Sequence, residues 1–112
     1  MAEMIALFTD FGLQDPYVGQ LHGVIGDCHD GARVIDLHHN APTFQPRMAS
    51  LLLEALVPYL PIGVVLIGVV DPGVGTARRG IVVEASGRWF IGPDNGLFSP
   101  FFEHSSSRIH QL

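Results

Sequence analysis

Asp71 closes an uninterrupted apolar run, Gly63 to Val70, and is followed by Pro72, Gly73 and Gly75 and then by Arg78 and Arg79. The run is rich in β-branched residues, as expected of a strand buried on both faces of a parallel sheet. The proline and glycines predict a sharp turn that a ligand can approach closely. In open α/β sheets ligands bind beyond the carboxyl ends of strands, so an acid and a guanidinium there form a candidate reactive pair. The same residues also fit an ordinary solvated turn. Asp10 likewise ends a short apolar run, Met4 to Thr9. Asp36, His38 and His39 could be written as metal ligands. Adjacent histidines usually point in different directions, however, and no second cluster has a recognisable ligand spacing, so no metal is expected.

These groups need elements to hold them. Met4 to Thr9 reads as the first strand. Asp15-Pro16 supplies a helix N-cap with proline at the first helical position. Tyr17, Val18, Leu21, Val24, Ile25 and Cys28 then form one apolar stripe. Gly19, Gly23 and Gly26 each cost about 1 kcal/mol in helix propensity, which predicts close packing on the sheet or against a ligand. Ala32 to Leu37 reads as a second strand. Thr43 to Val57 reads as a second helix with Met48, Leu52, Ala55, Leu56 and Tyr59 on its stripe, Pro46 in its first turn and Pro58 ending or kinking it. Phe44, just before it, serves as a hydrophobic staple or stacks on a flat ring. Gly80 to Ala85 and Arg88 to Ile91 read as two further strands, Pro93-Asp94-Asn95-Gly96 as a turn, Leu97 to Phe102 as a short helix and Arg108 to Leu112 as a last strand. Alternating strands and helices predict right-handed βαβ units in a three-layer, Rossmann-like α/β domain with a mostly parallel sheet. The strands ending at Asp10 and Asp71 could then present both acids at one edge.

The 112 residues suffice for one domain. With 47% apolar and 15% charged residues the chain belongs to the folded globular class. A net charge of -5 with six basic residues leaves no electrostatic footprint for nucleic acid. The single cysteine, Cys28, rules out an intramolecular disulfide and fits a reducing cytoplasm. No leader pattern and no apolar run long enough to span a bilayer is present, so a soluble cytoplasmic protein is expected, with no membrane partner.

A nucleotide cleft in such a fold carries a glycine-rich phosphate loop at a helix N-terminus. This chain has neither Gly-x-Gly-x-x-Gly after its first strand nor a Walker lysine. Its first strand meets its helix through Asp10 and Asp15, which would repel a phosphate. Carboxylates there suit a ribose diol or a cationic group, pointing to an uncharged or positively charged nucleoside-like ligand.

Thr-Asp-Phe-Gly-Leu-Gln-Asp-Pro-Tyr-Val-Gly at 9 to 19, Asp-Leu-His-His at 36 to 39, Val-Asp-Pro-Gly-Val-Gly-Thr-Ala-Arg-Arg at 70 to 79 and Gly-Pro-Asp-Asn-Gly-Leu at 92 to 97 occur in that order. Together they resemble the N-terminal domain of the S-adenosyl-L-methionine hydroxide adenosyltransferases, relatives of the fluorinase and chlorinase enzymes. The resemblance spans nearly the whole of residues 1–112. It implies hydrolysis of S-adenosyl-L-methionine, as substrate and with no separate cofactor, by attack of water-derived hydroxide on the ribose 5′ carbon, giving adenosine and L-methionine. By the same resemblance Asp10 holds the ribose hydroxyls, Phe44 lies against the ligand, and Asp15 and Asn95 join the substrate-binding set. Asp71 and Arg78 bind and activate the water. The halogenases carry tyrosine at the position of Asp71, and a carboxylate is a poor neighbour for a halide but can accept a proton from water.

Family members also carry a histidine beyond the Pro-Asp-Asn-Gly motif, whose pattern neither His104 nor His110 fits. They have a C-terminal β domain as well, which covers the ligand across a trimer interface. That domain is absent from residues 1–112, so a truncated form with weak binding and slow or no turnover is expected, with a homotrimer expected of the full-length family. The alternative is a non-catalytic nucleoside-binding or assembly module.

Overall fold

The computed structural model describes residues 3–71, 79–103 and 107–112. Its elements are β1 (Met4–Thr9), α1 (Tyr17–Cys28), β2 (Arg33–His38), α2 (Pro46–Leu56), a 3-10 turn (Val57–Tyr59), β3 (Val65–Val69), β4 (Gly80–Ala85), β5 (Arg88–Pro93), α3 (Ser99–Phe102) and β6 (Arg108–Gln111). The six strands form one sheet in the order β2-β1-β3-β5-β4-β6. β2, β1, β3 and β5 run parallel, whereas β4 is antiparallel to both β5 and β6. The chain is therefore a mixed, mostly parallel α/β sheet with helices on both faces.

The two faces are covered unequally. On one, Phe8, Leu66, Val83 and Phe90 pack with Leu53 and Val57 and with Leu97, Phe98 and Phe101. On the other, among the described residues, only Ile5, Leu7 and Ile25 form a buried cluster, with Leu21, Val65 and Ile67 partly buried around it. β3 consequently alternates between buried and half-buried residues instead of being sealed on both sides. That corrects the expectation from its apolar run: α1 lays only its Leu21–Ile25 edge on the sheet.

α1 departs from expectation in other ways. It starts at Tyr17 with Pro16 at the cap and no side-chain cap bond, so Asp15 is not its N-cap. Val24 and Cys28 are exposed. A Cβ added at Gly19, Gly23 or Gly26 would meet nothing within 4 Å, so these glycines are not explained by close packing within the chain.

α2 begins at Pro46 rather than Thr43 because Phe44 has φ 55°, a left-handed conformation that no α-helical residue adopts. Its buried stripe is Ala49, Ser50 and Leu53. Met48 and Tyr59, expected to be inside, are exposed. The run Leu51-Leu52-Leu53 offers several apolar faces, of which the one with Leu53 turns inward while Leu51 is exposed.

Beside the strand ends, Phe98 lies against the backbone of β3 and β5. A Cβ on Gly68 would come within 3.0 Å of the Phe98 ring, and one on Gly92 would meet both that ring and the Gly68 carbonyl oxygen. Two glycines side by side are what this packing requires.

Candidate functional site

β1 and β3 are parallel neighbours, with Thr9 paired to Val69, so the chain leaves both strands at the same edge. Asp10 follows directly, its backbone N–H donating to the Val69 carbonyl at 3.3 Å, and Asp71 stands two residues beyond Val69. Both carboxylates line one cleft of about 570 Å³, together with Asp15, Phe44, Tyr17 and Thr43. That volume lies within the range of small-molecule pockets. Asp71 is buried, at 2% exposure, on the inner wall, while Asp15 and Phe44 are exposed at the mouth.

The Asp10 carboxylate is held by the chain it faces. The Phe44 backbone N–H donates to its Oδ2 at 2.8 Å, which ties the loop before α2 to the tip of β1. An ionised carboxylate offers about four acceptor positions, so Asp10 keeps capacity for hydroxyl donors from a ligand. Phe44 is 61% exposed and is no staple; its left-handed backbone sets it at the cleft mouth. Phe11 and Tyr17 add aromatic surface, with ring centroids 6.0 Å apart. The cleft thus combines acidic hydrogen-bond acceptors with aromatic walls.

Asn95 has a different station. Its side-chain N–H donates to the Val70 carbonyl at 2.8 Å and its Oδ1 accepts from the Leu97 backbone N–H at 3.2 Å. It braces the end of β3 immediately before Asp71, and it is not among the residues lining the cleft. Arg79 pairs with Asp94 at 3.0 Å, and it borders a separate hollow of about 270 Å³ on which Asp71 also abuts. Arg78 and the turn at Pro72, Gly73 and Gly75 lie outside the described residues, as does His104.

Asp36 and His39 meet, but His38 does not join them. The His38 ring lies 6.0 Å from that of Phe8, whereas His39 turns toward Thr9. Asp36 Oδ1 accepts from His39 Nε2 at 2.7 Å and from His22 Nε2 at 2.8 Å, so these ring nitrogens act as donors. Among the described residues no group of three or more His, Cys, Asp or Glu side chains is arranged to hold a metal ion. Burial pushes the Asp36 carboxyl up, but the hydrogen bonds that it accepts from His39 and His22, with the electrostatic attraction of those rings, outweigh it, and its pKa is lowered.

Asp10, Asp15, Phe44 and Asp71, each a candidate from the sequence, line the same cleft; Phe11, Thr43 and Val69 line it without having been expected there, and so does Tyr17, expected on the interior stripe of α1. An aromatic residue at the first turn of a helix that follows an acidic strand tip was the available signal.

A family profile described as the SAM hydroxide adenosyltransferase N-terminal domain matches residues 5–112. A Thermus thermophilus protein named (R)-S-adenosyl-L-methionine hydrolase is 49% identical over 96 residues, which is 85% of this chain and 37% of that protein. Proteins of the same name from Salinispora arenicola and Methanocaldococcus jannaschii are 47% and 37% identical, over 83% and 87% of this chain and 35% and 38% of theirs. A crystal structure of a conserved hypothetical protein from Thermus thermophilus superposes with a TM-score of 0.86 at 40% identity, over 100% of this chain and 47% of that one. One of an uncharacterized conserved protein from Thermotoga maritima gives 0.91 at 35% identity, over 97% and 42%. The chain spans little more than a third of the length of the curated relatives it matches.

Proposed function

From a chain that belongs to the SAM hydroxide adenosyltransferase N-terminal-domain family, we propose a part in S-adenosyl-L-methionine hydrolysis: binding the nucleoside and activating the attacking water. The observation that carries this reading is the convergence of Asp10 and Asp71 on one cleft from the tips of adjacent parallel strands. Asp10 accepts hydrogen bonds from the ribose hydroxyls, Asp15 adds negative potential that favours a sulfonium cation, and the Phe44 ring covers the ligand. Asn95 contributes from behind, through Val70 and the seat of Asp71.

Asp71 accepts a proton from water as the oxygen attacks the 5′ carbon opposite sulfur. The carbon–oxygen bond forms, the carbon–sulfur bond breaks with its electron pair going to sulfur, and L-methionine leaves neutral at the thioether. Because sulfur is already cationic, leaving requires no acid; the work lies in in-line positioning and in stripping solvent from the nucleophile. Arg78 is assigned to the water by family resemblance. No separate cofactor enters the scheme.

In this reading residues 1–112 form the N-terminal α/β domain, acting with the histidine and the C-terminal β domain of the family pattern, in a homotrimer, in the cytoplasm. Among the described residues no helix is long and apolar enough to cross a membrane.

Incubation with S-adenosyl-L-methionine followed by chromatography for adenosine and L-methionine tests the proposal. Products that vanish in Asp71→Asn support it. Thermal stabilisation by the ligand with no product, in a form that also carries the C-terminal β domain, would favour a nucleoside-binding module. No binding and no product would sink both.

A further inference from the structure

His39 is buried, its side chain only 2% exposed, yet both ring nitrogens and its carbonyl oxygen are bonded into the scaffold of the acidic cleft. Its Nε2 lies 2.7 Å from Asp36 Oδ1 and its Nδ1 lies 2.7 Å from Thr9 Oγ1. An ionised carboxylate only accepts, so the proton of the Asp36 contact sits on Nε2. In a neutral ring Nδ1 is then bare, and the Thr9 hydroxyl must donate to it. That leaves the Thr9 oxygen to accept from the Phe11 backbone N–H, 3.1 Å away. Donors and acceptors balance along the whole chain from Asp36 to Phe11.

The main chain of the same residue closes a second loop of bonds. The His39 carbonyl accepts from the Gly12 N–H at 2.7 Å, and the Thr9 carbonyl accepts from the Ala41 N–H at 3.1 Å. Asp10 sits between Thr9 and Phe11, so the residues on both sides of it are fixed by His39 or its neighbours. His22 bonds the same Asp36 oxygen from α1, at 2.8 Å, adding the helix that starts at Tyr17 to the frame.

We propose that His39, held as its Nε2–H tautomer by Asp36, is a positioning residue that aims the Asp10 carboxylate and Phe11 into the cleft through the Thr9 hydroxyl. The ligand side of this assignment rests on the nucleoside reading above; the bonding pattern does not.

The test compares Thr9→Val, which keeps the side-chain shape and removes the hydroxyl, with Thr9→Ser, which keeps the hydroxyl. Binding of S-adenosyl-L-methionine and of adenosine is measured by calorimetry well below the unfolding transition. Thr9→Val should weaken binding about tenfold, the scale of one buried hydrogen bond, and Thr9→Ser should stay within about twofold of the unaltered chain. In the unaltered chain, two-bond proton–nitrogen correlation spectra of labelled histidine should show His39 protonated at Nε2 and bare at Nδ1. The Asp10 and Phe11 amide signals should move in Thr9→Val and return in Thr9→Ser. Equal affinities and unmoved amides in the two variants would overturn the proposal, as would the Nδ1–H tautomer. Absence of ligand binding by the unaltered chain would instead sink the nucleoside reading, and the tautomer and amide signals would still decide the role of His39.

Discussion

The backbone N–H of Phe44 donates to Asp10 Oδ2 at 2.8 Å across a sequence separation of 34 residues, and Phe44 does so from a left-handed backbone at φ 55°. An unfavourable conformation is thus held by one carboxylate, at the mouth of the cleft that this carboxylate lines. Asp10→Ala should remove both the clamp and the ligand acceptor. We predict at least tenfold weaker binding of S-adenosyl-L-methionine by calorimetry, since a hydrogen bond to a charged group is worth about 1.5–3 kcal/mol.

Replacing Phe44 separates strain from contact. Glycine tolerates positive φ and alanine does not, so Phe44→Gly should be more stable than Phe44→Ala by about 1 kcal/mol in urea unfolding. Both variants lose the ring, and both should bind the ligand more weakly than the unaltered chain. Equal stabilities would mean that the loop relaxes when the ring is removed.

Asp71 is buried at 2% exposure and is assigned to proton acceptance. In any form of the protein that yields adenosine, Asp71→Asn should lower the turnover rate by about 10²-fold or more, while ligand affinity changes by less than about threefold. A parallel loss of affinity and rate would reassign Asp71 to ligand binding.

The Asp36 carboxyl has a lowered folded-state pKa, so the unfolded chain takes up its proton more readily than the folded one. Its contribution to stability is fully present above the ordinary aspartate value of 3.8 and fades as pH falls through that value and the lower folded one. Asp36→Asn cannot titrate. Its unfolding free energy should therefore fall less steeply than that of the unaltered chain below about pH 4, in denaturant titrations at successive pH values.

Gly92→Ala drives a methyl group into the Gly68 carbonyl of the neighbouring strand and against the buried Phe98 ring. A loss of about 3 kcal/mol or more is expected, read as a lowered urea midpoint. Gly19→Ala meets open space and should be neutral or stabilising by a few tenths of a kcal/mol up to about 1 kcal/mol.

Strand positions were legible because the apolar runs are short and end on Asp10 and Asp71, where burial and charge change abruptly. Helix faces were less so. In α1 the stripe from Tyr17 to Cys28 promised an inward face, but only Ile25 is buried, since the helix rests on the sheet by one edge and Tyr17 turns to the cleft. In α2 the three consecutive leucines concealed which face is inward. The positive φ of Phe44 has no local signal, because it is imposed by Asp10 from a distance. The His39 bridge was invisible for the same reason: Thr9 and His39 touch only after β1 and β2 have paired.

The reversal of β4 carries a further consequence. Gly80 pairs with Pro93 at the end of β5 that lies beside the tip of β3, so Asp71 and Arg79 stand along a single rim of the sheet. Strand order alone thus seats a carboxylate and a guanidinium on one hollow, at a spacing that the hydrogen-bond ladder beneath sets.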